Sequence, residues 1–184
     1  MNIIQKTSPN FGERKGYKPE LFVLHIMAGT LEGTDSWFAS PNSKVSAHFG
    51  IGKSGEIHQY VDTLKSAWAN GIVNIPSFKL YKPNINPNLY TLSIECEGYD
   101  LKDAPETQLN AITELLRYLG DIYDIPLDRD HIIGHYQIDG IRKPNCPATD
   151  KSIIDKIVAS VIIPNENPDK EKIKAQIIDL LKKL

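Results

Sequence analysis

The sequence predicts an α/β domain with helices packed on a central sheet. Two apolar runs and two helix-spaced segments carry that reading. Leu21-Phe22-Val23-Leu24-His25 and Thr91-Leu92-Ser93-Ile94-Glu95-Cys96-Glu97 have the length and apolar content of buried strands. Leu109, Ile112, Leu116 and Leu119 recur at helical spacing, as do Ile153, Ile154, Ile157, Val158 and Val161. At 184 residues the chain is long enough for one domain with a sizeable core and short for two.

Taken in order, residues 1 to 20 hold a short apolar start and a Gly/Pro/Asn-rich loop, Ser8 to Pro19, able to form one wall of a cleft. Leu21 to His25 is the first strand. Ala28 to Gly33 is a loop, with Thr34 or Asp35 capping a short helix through Trp37 and Phe38. Both aromatics suit core or cleft lining. Val45 to Ile51 and Glu56 to Val61 form a hairpin across Lys53-Ser54-Gly55, with His48 inside its first strand and His58 exposed on its second. Residues 72 to 90 carry three prolines and read as a long loop bordering the cleft.

Alternation in the strand Thr91–Glu97 sends Leu92, Ile94 and Cys96 to one face, naturally the core, and Ser93, Glu95 and Glu97 to the other. Glu97 falls at the cleft rim. Asp103-Ala104-Pro105-Glu106 starts a helix with Asp103 as cap, running to about Tyr123. His131 to Gly134 is a short strand delivering His135, and Ser152 to Val161 is a further helix. Residues 164–168 are a linker. An amphipathic helix follows over 169–184, with Ile173, Ile177, Leu180, Leu181 and Leu184 on one stripe.

Composition excludes several classes of function. Net charge is −2, so no general basic surface invites nucleic acid. No apolar run approaches a membrane span, so stable insertion in a bilayer is not expected. The N-terminus lacks the apolar core and small-residue cleavage site of a secretory signal. Two cysteines, Cys96 and Cys146, do not make a disulfide framework.

Chemistry concentrates between His131 and Pro147. His135 offers an imidazole, Cys146 a soft sulfur, and Lys143 between them a fixed positive charge. Gly140, Pro144 and Pro147 make the segment a loop. One His and one Cys fall short of a zinc site, which takes three or four ligands and, when catalytic, keeps a position open for water. His25, at the end of the first apolar strand, is the best third ligand. Each of these residues alone has an ordinary structural explanation; the set together with Glu95 favours a metal.

The pieces Val23-Leu24-His25, Gly29 to Gly33, Ser36-Trp37-Phe38, Val45 to His48, Gly55-Glu56-Ile57, Ala67-Trp68, Ile94 to Gly98, and Gly134-His135 through Arg142-Lys143 to Cys146-Pro147 run in one order over residues 8 to 150. In that order they resemble the zinc-dependent N-acetylmuramoyl-L-alanine amidases of phage endolysins and bacterial autolysins, which share a fold with the peptidoglycan recognition proteins. The resemblance implies a central mixed β-sheet flanked by helices. It implies one zinc ion per chain on His25, His135 and Cys146, Glu95 as catalytic acid/base, and Lys143 stabilising the oxyanion. Trp68 and His48 are the implied substrate contacts, a structural hydrogen-bonding role in or near the cleft being the stronger alternative for His48, and peptidoglycan is the implied partner.

The chain departs from the family pattern twice. Ala67-Trp68-Ala69-Asn70-Gly71 replaces the more usual Ala-Trp-His-Ala-Gly, so Ala69 stands where many relatives carry His. Cys146 comes three residues after Lys143, where relatives with a comparable Arg-Lys pair commonly place their last ligand two after. Asn145 is a poor zinc ligand, which keeps Cys146 as the candidate.

The expected organisation is a catalytic domain over 1–163, the linker, and a terminal helix that docks on its own domain, pairs two copies in a homodimer, or begins a wall-binding region. The expected setting is a phage endolysin, made without a signal peptide in the cytoplasm of a Gram-positive host and acting on the wall after release. A bacterial autolysin, a muropeptide-recycling amidase and a non-catalytic recognition module are the alternatives.

Overall fold

The computed structural model describes residues 1–162. The expected linker and terminal helix, and any dimer through that helix, lie outside the described residues. In chain order the elements are β1 (Ile3–Gln5), β2 (Phe11–Glu13), β3 (Leu21–Ile26), α1 (Leu31–Ala39), β4 (Phe49–Ile51), β5 (Ile57–Gln59), β6 (Lys65–Ala67), β7 (Thr91–Cys96), α2 (Glu106–Tyr123), β8 (Ile132–Gly134) and α3 (Ser152–Ile162). A six-stranded mixed sheet has the order β1-β5-β4-β7-β3-β8, and β2 pairs with β6 in a separate antiparallel ribbon.

The centre of the sheet is the parallel pair β3 and β7, in register from Leu21↔Thr91 to Ile26↔Cys96. Strand alternation then sorts the side chains. Phe22, Leu24, Leu92, Ile94 and Cys96 point to one face and are buried under the apolar stripes of α2 and α3. Leu21 and Val23 point to the other face, where Phe78, Tyr90, Ile133 and Ile138 cover them. The loop of residues 72–90 therefore contributes to a second core. Further along this second face the apolar cover stops, and His25 and Glu95 occupy the next positions. No helix among the described residues is long and apolar enough to cross a membrane.

Local departures from the sequence-based expectations have physical causes. Helix α1 begins earlier than expected because Thr30 caps it, its hydroxyl accepting from the Gly33 N–H at 3.1 Å. Asp35 is occupied elsewhere: it accepts from Tyr60 Oη and the His58 ring, both at 2.8 Å. His58, expected on the surface, is buried between Asp35 and Glu56. Asp103 does not cap α2; it ends a 3-10 turn that Asp100 caps, and α2 starts after Pro105 without a side-chain cap. The hairpin is confined to β4 and β5. Glu97 lies beside it, accepting from the Lys53 N–H at 2.7 Å, rather than on the cleft rim.

The loop after β2 sends Arg14 into the interior. Its guanidinium donates to the carbonyls of Thr63, Leu89 and Thr91 at 2.8–3.0 Å, joining the end of the ribbon to the start of β7. Burial lowers its pKa to about 10, which leaves it charged at neutral pH. Arg14→Leu would strand those carbonyls, each at about 1–3 kcal/mol where water cannot reach. The expected cost is about 2–4 kcal/mol, measured as a lower urea midpoint with an unchanged slope.

Candidate active site

A cavity of about 450 Å³ opens at the carboxyl ends of β3 and β7. His25, Glu95, His135, Lys143 and Cys146 all line it, and Trp68 stands on its wall. Ends of parallel strands are where α/β sheets usually present ligand sites, because the chain leaves the sheet there in loops.

Two of these residues are fixed by the sheet itself. His25 and Glu95 are register partners on adjacent parallel strands, so their side chains leave the same face side by side. His25 Nδ1 lies 3.9 Å from Glu95 Oε1. Beyond them, hydrogen bonds between Gly29 and Gly98 at 3.0 and 3.1 Å join the loops that leave β3 and β7. Gly98 makes that turn at φ +125°, a conformation that side chains other than glycine's rarely adopt.

The other three residues come from the segment after β8. His135 opens a 3-10 turn, His135–Gln137, and its ring centroid is 4.4 Å from that of His25. Its Nε2–H donates to the carbonyl of Asn70 at 3.0 Å. Asp139, fully buried, organises the loop that follows: it accepts from the Asn74 amide, the Arg142 N–H and Arg142 Nε. The Lys143 N–H donates to Asp139 O and the Cys146 N–H to Lys143 O, both at 3.1 Å. That last turn takes up the additional residue between Lys143 and Cys146. It leaves both side chains on the cavity wall.

The ligand atoms of His25, His135 and Cys146 lie within 4.8 Å of one another. Burial holds both imidazoles neutral, with His135 at about 4 and His25 well below its usual value; His135 and Lys143 depress His25 further. Each ring therefore has a lone pair to give at neutral pH. Burial pushes the Cys146 thiol up to about 12, and Glu95 adds to the shift. Two neutral imidazoles and one thiol converging on an open cavity fit a three-ligand metal centre of the zinc type. Burial also raises Glu95 to about 7, against the opposing charge of Lys143, and its Oε2 is buried without a partner. A carboxyl group so placed is ready to exchange a proton near neutrality. Both Cys96 and Cys146 are free thiols.

Residues 15–149 match the family model described as N-acetylmuramoyl-L-alanine amidase. The chain belongs to the N-acetylmuramoyl-L-alanine amidase family. Among its relatives, the 1,6-anhydro-N-acetylmuramyl-L-alanine amidase AmpD of Salmonella typhimurium is 32% identical over 147 residues, covering 68% of this chain and 73% of the relative. N-acetylmuramoyl-L-alanine amidase A of Achromobacter lyticus is 36% identical over 77 residues, 41% of this chain and 36% of that protein. A crystal structure of AmpD superposes with a TM-score of 0.69 at 25% identity, covering 84% of this chain and 93% of its own. An endolysin from Bacillus subtilis shares the fold with a TM-score of 0.65 at 19% identity, covering 88% and 99%.

Of the two expected substrate contacts in the amidase, Trp68 lines the cavity and is partly exposed. His48 does not reach it. Its ring is fully buried, with Nδ1 accepting from the Ser93 N–H at 3.0 Å and Nε2 3.0 Å from both Lys65 O and Arg14 Nη2. A direct substrate contact through His48 is therefore closed off. Asn70 and Asp139 organise the site, roles that the sequence does not disclose. Their partners, His135 and Asn74, are 65 residues away in sequence, so no local pattern pairs them.

The loop that carries Cys146 is also anchored from the far side. Asp100 accepts from the Thr149 hydroxyl and N–H and from Lys102, and these bonds hold its carboxylate down at about 2 against the effect of burial. A depressed carboxylate contributes stability above its unfolded pKa of about 4, and that contribution is lost as pH falls toward 2. Asp100→Asn is expected to flatten the acid limb of the stability curve between pH 4 and 2, measured by urea unfolding at stepped pH.

Proposed function

We propose that this amidase hydrolyses the amide joining the lactyl group of N-acetylmuramic acid to L-alanine, with zinc on His25, His135 and Cys146. The convergence of three ligand atoms beside a mostly buried carboxyl group in one cleft carries the reading. Zinc held there supplies Lewis-acid activation of the scissile carbonyl and of the attacking water. Glu95 takes the proton from that water and hands it to the leaving amine of L-alanine. Its raised proton affinity suits both transfers. Lys143, on the cavity wall, offsets negative charge as it develops on the carbonyl oxygen. Lys143→Ala is expected to lower kcat by about 100- to 1000-fold with a smaller change in KM, read from steady-state kinetics.

Two settings for that bond differ in substrate size. The wall polymer is the first: the cleft is open and Trp37 and Trp68 are exposed along it, which suits a long strand lying across it. An endolysin released from a host cytoplasm would work on that substrate. The second is a soluble anhydro-muropeptide, the reading favoured by the match to AmpD. Digestion of purified peptidoglycan and of soluble anhydro-muropeptides, each with and without chelator, separates them. Chelator-sensitive release of amino groups with N-terminal alanine supports the reaction, and the preferred substrate assigns the setting. New reducing ends in place of amino groups would overturn the amidase reading.

A further inference from the structure

Asn70 stands behind the candidate metal centre and is itself completely buried. Its N–H donates to Asn88 Oδ1 and its Nδ2 donates to Thr91 Oγ1, both at 2.9 Å. Held at both ends, it has two oxygens left. The main-chain oxygen accepts the Nε2–H of His135. The side-chain oxygen, Oδ1, is buried without a partner in strict hydrogen-bond geometry, and so is Nε2 of His25.

The two orphan atoms are complementary. An amide oxygen can only accept, and an imidazole nitrogen that carries the proton can only donate. A buried polar atom left unpaired costs about 1–3 kcal/mol. His25 and Asn70 line the same cavity, and Asn70 already holds the ring of His135, whose centroid is 4.4 Å from that of His25, so pairing of the two atoms with each other is favoured. The competing acceptor at the other ring nitrogen is Glu95 Oε1. At 3.9 Å from Nδ1 it is too far for a hydrogen bond.

We propose that Asn70 is the positioning residue for both histidines: its main-chain oxygen holds the Nε2–H of His135 and its side-chain oxygen holds the Nε2–H of His25, leaving both Nδ1 lone pairs free for the metal. The proposal rests on the metal reading given above. Histidine ligands generally hold their second nitrogen on a fixed acceptor, which sets the tautomer and the ring plane. Here one residue sets both. The rings, with centroids 4.4 Å apart, then keep a constant relation to each other.

The test is long-range proton–nitrogen NMR of the histidine rings in the full-length, zinc-free protein, with zinc affinity measured by chelator competition. The wild type is expected to show both histidines with the proton on Nε2. In Asn70→Ala, His25 is expected to become a mixture of tautomers while His135 keeps its Nε2–H, since the carbonyl that holds it remains. Zinc affinity should fall by about 10- to 100-fold. Asn70→Asp, which retains a side-chain acceptor, should restore both readouts. Asn70→Ser, which withdraws the oxygen from His25, is read in the same way if the alanine variant does not fold. An unchanged His25 tautomer in the alanine or serine variant would overturn the proposal. So would a change in both histidines together, because that reports collapse of the cleft. A wild type that binds no zinc would instead overturn the metal reading, and the tautomers, observed without metal, would still decide the role of Asn70.

Discussion

Glu95→Gln is expected to lower turnover by about 100- to 10,000-fold while zinc content stays at the wild-type level. Glutamine preserves the size and polarity of the side chain on β7, and its partner in the register, His25, is untouched. On the proposed mechanism, what would be lost is the ability to accept the proton of the attacking water and deliver it to the amine. Single-turnover release of L-alanine amino groups, with metal content measured on the same samples, gives the answer. Activity within tenfold of wild type would remove Glu95 from the acid/base role. A parallel loss of zinc would show that the carboxylate acts by holding the centre together.

Removal of the metal is expected to abolish the activity, with added zinc restoring it. Cys146→Ala should reproduce the loss in a form that zinc at ordinary concentrations does not rescue, because only two imidazoles remain. The protonation states of the ligands give this prediction a pH signature. With His135 at about 4 and His25 lower, neither imidazole releases a proton on binding metal near neutrality. Cys146, raised to about 12, must release one. Zinc affinity is therefore expected to rise by at least about tenfold per pH unit between pH 6 and 8, since Glu95, at about 7 beside His25, can give up a second proton as the metal binds. Isothermal titration in buffers of different ionisation enthalpy would count the proton directly. A count of zero would exclude the thiolate as a ligand.

Much of this site was legible in the sequence because its sheet half is local. Strands β3 and β7 are six residues each, apolar on the faces that pack, and carry His25 and Glu95 one residue before their ends. The helices α2 and α3 announce themselves by spacing. The three-residue strands β1, β2 and β6 did not, since a strand that short is defined by its partner, and Ile3 pairs with Ile57 while Phe11 pairs with Ala67. The same distance in sequence hid Arg14 and Asn70, whose partners lie up to 77 residues away. Polar residues in loops carry no periodicity, so nothing local distinguishes one that enters the interior from one that stays in water. His58 was misjudged for a related reason: its neighbours Asp35 and Glu56 shield it, and one of them belongs to a helix on a different part of the chain.

The chain has two tryptophans, and both stand on the wall of the cleft, Trp37 exposed by 58% and Trp68 by 40%. The fully buried aromatic side chains of the interior are phenylalanine and tyrosine, such as Phe22, Phe49 and Tyr90. The tryptophan emission of this protein thus comes from the mouth of the site and not from its interior. Binding of a muropeptide in the cleft is expected to change the surroundings of both fluorophores without any label. By the same reasoning, a melt followed by tryptophan emission records the loosening of the cleft, and circular dichroism of the same sample records the sheet. A gap between the two curves would measure how far the mouth opens before the fold gives way.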